Sequence, residues 1–460
     1  MLAVACIAQF MVVLDISVVN VALPSIRADL EMSEATLQWV VNAYALVFAG
    51  FLLVGGRLAD VFGVRRVFLV GLTMFTGASL IGGLATTEVV LIGARAAQGL
   101  GAAVLAPATL TLITTTIPEG TRRTRAVAAW TAIGIAGGTA GNLIGGILTE
   151  WVSWRATFLI NLPIGLACIL LTVTAVTPMT EARSAPPRLD VPGAVLATAA
   201  LTALAYGVTQ FGDGGSADAG WTALAGAGAL TVAFIVVERR APEPLIPPAL
   251  VKVRSVRVGN GLMALAGACL NPMWFFLTLT MQNVLGYTPL QTGLAFLPHT
   301  VVAIAVGTLI TPRLMRWIQP RTLVAAGALL AAGGFAWQAQ IQPGDGYLAA
   351  IAGPAIVFSV GAALLNTPLT IAATSGVPAG TAGAASGVMN TAKQAGAAIG
   401  LAALVGIAMP ATAAPADLAA AYNRAFLAIA ILMLLTAVTS TALPRVSLRA
   451  SDRSTAAPKS

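Results

Sequence analysis

Apolar residues do not alternate with polar ones along this chain; they run on in continuous blocks of roughly 18 to 25, separated by short stretches that hold nearly all of the charge. A block of that length crosses about 30 Å of hydrocarbon at 1.5 Å per helical residue. Strands of a membrane barrel would instead alternate polar and apolar positions over about ten residues, so continuous runs predict helices. Fourteen such blocks are read at 3–24, 36–56, 67–86, 89–115, 126–148, 156–177, 191–209, 220–237, 258–283, 291–312, 322–341, 347–373, 382–408 and 423–443. The expected fold class is an all-α integral membrane protein.

Composition agrees: 58% of residues are apolar, 9% are charged and the mean hydropathy is +0.88, too little charge to cover a soluble surface. A net charge of +8 raises the question of nucleic acid, but the basic residues are scattered through short loops and no basic helix gathers them. Their placement reads as topology. Of the 25 basic residues, Arg27, Arg155 and Arg424 lie on one side, Arg95 and Lys393 lie inside helices, and all others fall on the opposite side. That bias predicts a multi-pass protein of the cell inner (plasma) membrane with both termini cytoplasmic. Cys6, Cys168 and Cys269 fall in apolar blocks without metal-ligand or disulfide spacing, so no metal site is expected. The first block begins at once, without a basic flank, so a missing start of the reading frame is expected and a cleaved signal peptide is not.

The blocks group as six, two and six. The loop Arg57 to Arg65 and the loop Arg313 to Arg321 share an Arg-Leu start and an Arg eight positions on, a hint of two related halves. The expected organisation is a six-helix bundle over 1–177, a linker carrying two inserted transmembrane helices over 178–257, a second six-helix bundle over 258–443, and a disordered cytoplasmic tail over 444–460. Two such bundles enclose a site near the bilayer midplane.

Three ionisable residues lie deep in apolar blocks: Asp15, Arg95 and Lys393. A charge at that depth costs several kcal/mol on lenient scales, so it is kept where it lines a solute or ion path. Asp15 lies about 18 Å along its helix by helical rise, where a carboxylate can take up and release a proton. The bland alternative is a structural ion pair with Arg95 or Lys393. Arg95 serves equally as helix glue, since a guanidinium carries five donors, and Lys393 as a counter-charge. His299, the only histidine, reads as a hydrogen-bonded packing residue. Asn20, Asn42 and Tyr44, together with Gln98, are candidate cavity-lining groups, with Trp39 as a further one; interhelical hydrogen bonds are their alternative use.

The run Leu14-Asp15-Ile16-Ser17-Val18-Val19-Asn20-Val21-Ala22-Leu23-Pro24 resembles the helix-one signature of the fourteen-helix drug:proton antiporters of the major facilitator superfamily. Gly56-Arg57-Leu58-Ala59-Asp60-Val61-Phe62-Gly63-Val64-Arg65-Arg66 is similar to the superfamily loop motif between helices two and three, and Arg95-Ala96-Ala97-Gln98-Gly99 to its helix-four motif. Trp154-Arg155 through Phe158, Asn161, Pro163 and Gly165 resembles the opening of helix six; Gln282 to Pro298 and Ser386 to Gly400 resemble stretches of the second half.

The resemblance implies the major facilitator fold, arranged 6 + 2 + 6, and proton/substrate coupling through Asp15, Arg95 and Lys393. It also implies a conformational latch at Gly56, Asp60, Gly63, Arg65 and Arg66. On helix five, Gly137, Gly141 and Gly145, with Gly146, keep the small-residue spacing of the antiporter motif, while Asn142 stands where that motif has proline. Proline would kink the helix; asparagine keeps the ladder and adds a polar group that needs a partner. The implied activity is proton-driven export of amphipathic drugs, antibiotics or toxic metabolites, cationic or neutral, from a monomer embedded in the lipid bilayer, with the proton gradient in place of any cofactor. Uptake or metabolite carriage by the same fold, and a membrane sensor that moves nothing, are the alternatives. An enzyme is not expected: the Gly-rich tracts lie in apolar helices and lack the lysine of a phosphate loop.

Overall fold

Fourteen helical segments cross the described part of the chain, which comprises residues 1–117, 121–175, 190–211 and 216–444 except 243, 247, 375, 378–381 and 409–413 in this computed structural model. They are α1 (Leu2–Asp29), α2 (Glu34–Phe62), α3 (Val64–Gly83), α4 (Glu88–Thr116), α5 (Thr121–Trp151) and α6 (Ala156–Leu159 resumed at Asn161–Ala175), then α7 (Val191–Gln210) and α8 (Ala217–Arg240). The remaining six are α9 (Arg254–Leu270, Pro272–Leu279 and a π-turn Thr280–Val284), α10 (Pro289–Ala295, Leu297–Ala305, a π-turn Val306–Ile310 and Thr311–Leu314), α11 (Pro320–Gln338), α12 (a π-turn Leu348–Ala352 and Gly353–Thr374), α13 (Ala382–Ile407) and α14 (Pro415–Thr439). Eleven of them are long and apolar enough to cross a membrane. The other three, α5, α11 and α13, are rich in Gly and Ala.

Local chemistry sets the helix starts. Ser33, Thr87 and Ser216 cap α2, α4 and α8 by accepting a backbone N–H with the side-chain hydroxyl, and Thr288 with Gln291 forms a capping box at α10. The turn from α2 to α3 is a single residue, Gly63, whose φ of 83° is a left-handed conformation open to glycine.

Contacts divide the helices into two groups. In the first, α1 packs on α5, and α4 on both α2 and α3. In the second, α11 packs on α12 and α14, and α9 on α13. Across the boundary, α2 meets α13 and α5 meets the start of α10, while the inserted α7 lies against α2 and α13 together. Trp39 belongs to that last contact, its ring 6.4 Å from Tyr206 of α7. Exposed Trp151, Trp221 and Trp337 lie near helix ends, as amphipathic rings do at a membrane interface.

The two groups are joined at the face where α1 ends and α2 begins. There the Tyr422 hydroxyl donates to Glu34 Oε1 at 2.7 Å, an atom that Arg27 Nη1 also reaches at 2.9 Å. Gln282 Nε2 donates to the Val21 carbonyl at 2.9 Å, and Glu150 Oε2 accepts the Leu290 N–H at 2.9 Å.

Candidate functional site: a buried carboxylate behind a shared cavity

Asp15 is fully buried at the middle of α1, and its carboxylate is met by donors from two helices, α4 and α6. Arg95 of α4 donates through Nη1 to Asp15 Oδ2 at 2.6 Å and to Gln98 Oε1 at 2.9 Å, and through Nε to the Val40 carbonyl of α2 at 2.8 Å. On the other oxygen, Asp15 Oδ1 accepts from Gln98 Nε2 at 3.0 Å and from Asn161 Nδ2 of α6 at 2.8 Å. Ser79 Oγ of α3 accepts from the same two amides at 2.6 and 3.2 Å. The guanidinium carbon sits 4.5 Å from the Tyr44 ring centroid.

This arrangement follows from helical geometry. Arg95 and Gln98 are three apart on α4 and so share a face, and the break after Leu159 restarts α6 at Asn161, aiming its amide at α1. Every donor matches an acceptor-only, ionised carboxylate, and removing one partner of such a buried pair costs about 3–5 kcal/mol. Both oxygens are occupied, so Asp15 has no open side for a second cation until a bond to it is released. Of the two bases that the sequence offered as partners, Arg95 pairs with Asp15, and among the described residues Lys393 forms no ion pair.

In front of Arg95 lies a cavity of about 740 Å³ between the two helix groups, within the roughly 300–1,000 Å³ that drug-sized ligands occupy. Asn20, Asn42, Tyr44, Arg95 and Asn142 line it from the first group, and Trp274, His299, Asn366 and Lys393 from the second. Asp15 and Gln98 stand behind this wall. Gln98 was expected to line the cavity; it is fully buried and serves as a ligand of Asp15 instead. Among the described residues, the Tyr44 hydroxyl and Asn42 Oδ1 have no hydrogen-bond partner. His299 meets Ser359 Oγ through Nδ1 and packs edge-on against Trp274, with ring centroids 4.8 Å apart.

The helix-five glycines work on two faces. A Cβ on Gly137, Gly141 or Gly145 would strike α1 at Phe10, Ser17 or Val18, at 2.6 to 2.9 Å. One on Gly146 would come within 2.7 Å of the Pro289 carbonyl at the start of α10, and Gly293 of α10 lies equally tight against the Asn142 carbonyl. Asn142 thus lines the cavity with its side chain and the seam between the groups with its backbone.

In the α2–α3 motif, Gly56 lies inside α2 with room to spare, its added Cβ no nearer than 3.8 Å to Pro107. The close approach belongs to Gly55, whose Cβ would fall 2.0 Å from the Ala103 carbonyl of α4. Of the glycines expected to allow a turn, only Gly63 is in one. Arg65 Nη2 donates to the Val173 carbonyl at 3.2 Å and Arg66 is exposed, while the side chains of Arg57 and Asp60 lie outside the described residues.

Sequence reasoning passed over Ser79, Asn161 as an Asp15 ligand, and Trp274. A serine or threonine bonded within an apolar helix leaves no trace in hydropathy. Asn161 carried a signal, since it stood in the helix-six stretch, but nothing in that stretch said which helix it faced.

The model of the Major Facilitator Superfamily matches residues 5–401. A cephamycin export protein from Amycolatopsis lactamdurans is 51% identical over 449 residues, 97% of this chain and 92% of that protein. A puromycin resistance protein of Streptomyces alboniger is 41% identical, covering 90% of this chain and 82% of its own. Among solved structures, an auto-inhibited peptide transporter of the POT family superposes with a TM-score of 0.67 over 96% of each chain at 17% identity, a likeness of fold. Two groups of helices around a shared cavity, and a family match over nearly the whole length, agree: the chain belongs to the Major Facilitator Superfamily.

Proposed function

We propose that this protein exports amphipathic drugs, antibiotics or toxic metabolites from the cell in exchange for protons, by alternating access of the cavity between the two helix groups. The observation that carries the reading is the Asp15–Arg95 pair, set behind a drug-sized cavity that both groups line. The names of the relatives, cephamycin export and puromycin resistance, support the direction and the class of solute. Fourteen helices and the lysine and arginine bias support a multi-pass protein of the inner membrane with both termini in the cytoplasm, and we take it to act as a monomer. The joined face is then the external one, and the conformation is inward-facing.

In this scheme a proton entering from outside neutralises Asp15 and frees Arg95 from its charge partner. The guanidinium lines the cavity and is held to α2 through Val40, so its release alters both the wall and the α2–α4 contact. Lys393 shares in coupling from the facing wall, and the α2–α3 turn around Asp60 and Gly63 acts as the latch between states. Asp60→Ala is expected to slow turnover with little change in drug binding. Weaker binding at unchanged turnover would remove it from that role.

The direct test is a drug-susceptibility panel in cells lacking their own pumps, joined to proton-driven uptake of the same drugs into everted vesicles. Export that survives collapse of the proton gradient would overturn the coupling. Arg95→Lys keeps the charge but replaces a planar fork with a point donor. It should lower proton-driven uptake by about tenfold or more, since one hydrogen bond to a charged group is worth roughly 1.5–3 kcal/mol; uptake equal to the parent's would show that the fork is not needed. Asn142→Ala should reorder the exported drugs by a few-fold, consistent with loss of one hydrogen bond worth about 1 kcal/mol, and leave the proton leak unchanged. An identical drug profile would make the position a packing site.

A further inference from the structure

The charges that face the cavity are of one sign. Among its lining residues Arg95 and Lys393 are the charged ones, and neither Asp nor Glu appears in the wall. Arg95 is answered from behind by Asp15 at 2.6 Å. Lys393, on the facing wall, makes no ion pair among the described residues.

The backbone at Lys393 is fixed. A Cβ on Gly267 of α9 would fall 2.1 Å from the Lys393 carbonyl, and one on Gly396 2.1 Å from the Ala264 carbonyl, so α9 and α13 are in backbone contact at the lysine and one turn beyond it. Beside it, Asn271 Nδ2 donates to Gln394 Oε1 at 3.3 Å, and both residues line the cavity. The lysine therefore presents its ammonium from a rigid support. Lys393 is half-buried in the cavity wall; a partly desolvated ammonium without a counter-ion is costly, and a solute that brings the counter-ion removes that cost, whereas a cationic solute adds to it.

We infer that Lys393 receives a carboxylate on an otherwise apolar solute, so that the substrates of this exporter are amphipathic anions rather than the cationic or neutral compounds expected from the sequence. This deepens the export reading and rests on it. Trp274 and Phe275 on the same side of the cavity offer the apolar body its surface, and the amides of Asn271 and Gln394 offer donors to the second carboxylate oxygen.

The test compares 1-pyrenebutyrate with the neutral 1-pyrenebutanol, bound by purified full-length protein at pH 7.4, in the parent, Lys393→Met and Lys393→Arg. The parent should bind the carboxylate about tenfold tighter than the alcohol. Lys393→Met should lose that preference, and Lys393→Arg should retain it, which also shows that a variant at this position folds. Equal affinities in the parent, or equal losses for both probes in Lys393→Met, would overturn the inference and leave the export reading standing. Failure of the parent to bind either probe would overturn both.

Discussion

Asp15→Asn is expected to abolish proton-driven efflux, a loss of at least a hundredfold, while drug–drug counterflow persists. Asparagine has the shape of aspartate but cannot carry a proton, so a cycle that must load and unload one at this position stops. Counterflow needs the cavity to alternate and not the proton to move, so it separates coupling from folding. The separation matters because the substitution also has a structural cost. Asp15 accepts from Arg95, Gln98 and Asn161, and the new amide would turn a donor toward one of them. Gln98 and Asn161 can rotate their own amides to present oxygen; Arg95 cannot, and is left without its charge partner. Partial loss of expression is therefore expected, and the measurement is made per molecule of inserted protein in proteoliposomes. Undiminished proton-driven efflux by Asp15→Asn would remove Asp15 from the coupling mechanism altogether.

The parts of this site that could be read from the sequence are those whose burial is costly. Asp15 and Arg95 stand out because a charge inside an apolar block needs a reason, and the structure supplies it in one short ion pair. Ser79 and Asn161 complete the same network and gave no comparable sign, since small polar groups are tolerated wherever a helix carbonyl can satisfy them. Gln98 shows a second limit. Its distance along α4 from Arg95 fixes which face it shares, but whether that face meets the cavity or the neighbouring helix depends on packing that no single helix encodes. Hydropathy likewise found α9 and α10 as continuous blocks and was blind to the π-turns at Thr280–Val284 and Val306–Ile310 within them, because a change of hydrogen-bond register alters no side chain. The glycines of α5 were visible as a small-residue stripe. That the stripe serves α1 with one edge and α10 with the other follows only from where α10 comes to rest.

That second edge yields the other large expected effect. Gly293→Val should hold the protein open to the outside. A Cβ at Gly293 would lie 2.4 Å from the Asn142 carbonyl and 3.4 Å from Leu143 Cα, backbone atoms that cannot rotate away as a side chain can, so α5 and α10 must separate. The contact joins the two helix groups at the closed face and is lost when that face opens, so the added bulk penalises the closed state selectively. Overpacking of this kind costs about 1–3 kcal/mol, enough to shift the balance between states by roughly fivefold to more than a hundredfold. The measurement is labelling of Asn20→Cys, in the cavity wall, by a membrane-impermeant maleimide added outside the cell; Cys6, Cys168 and Cys269 are buried and give a low background. Labelling should rise about tenfold or more in Gly293→Val, and drug export should fall in step. Gly141→Ala is the control, because its Cβ meets Ser17 and Leu14 of α1 within the same helix group and so loosens packing in both states alike. Equal outside labelling with and without Gly293→Val, or an equal rise in Gly141→Ala, would mean that the α5–α10 contact is ordinary packing and that the external seal is held elsewhere, at Tyr422 and Glu34.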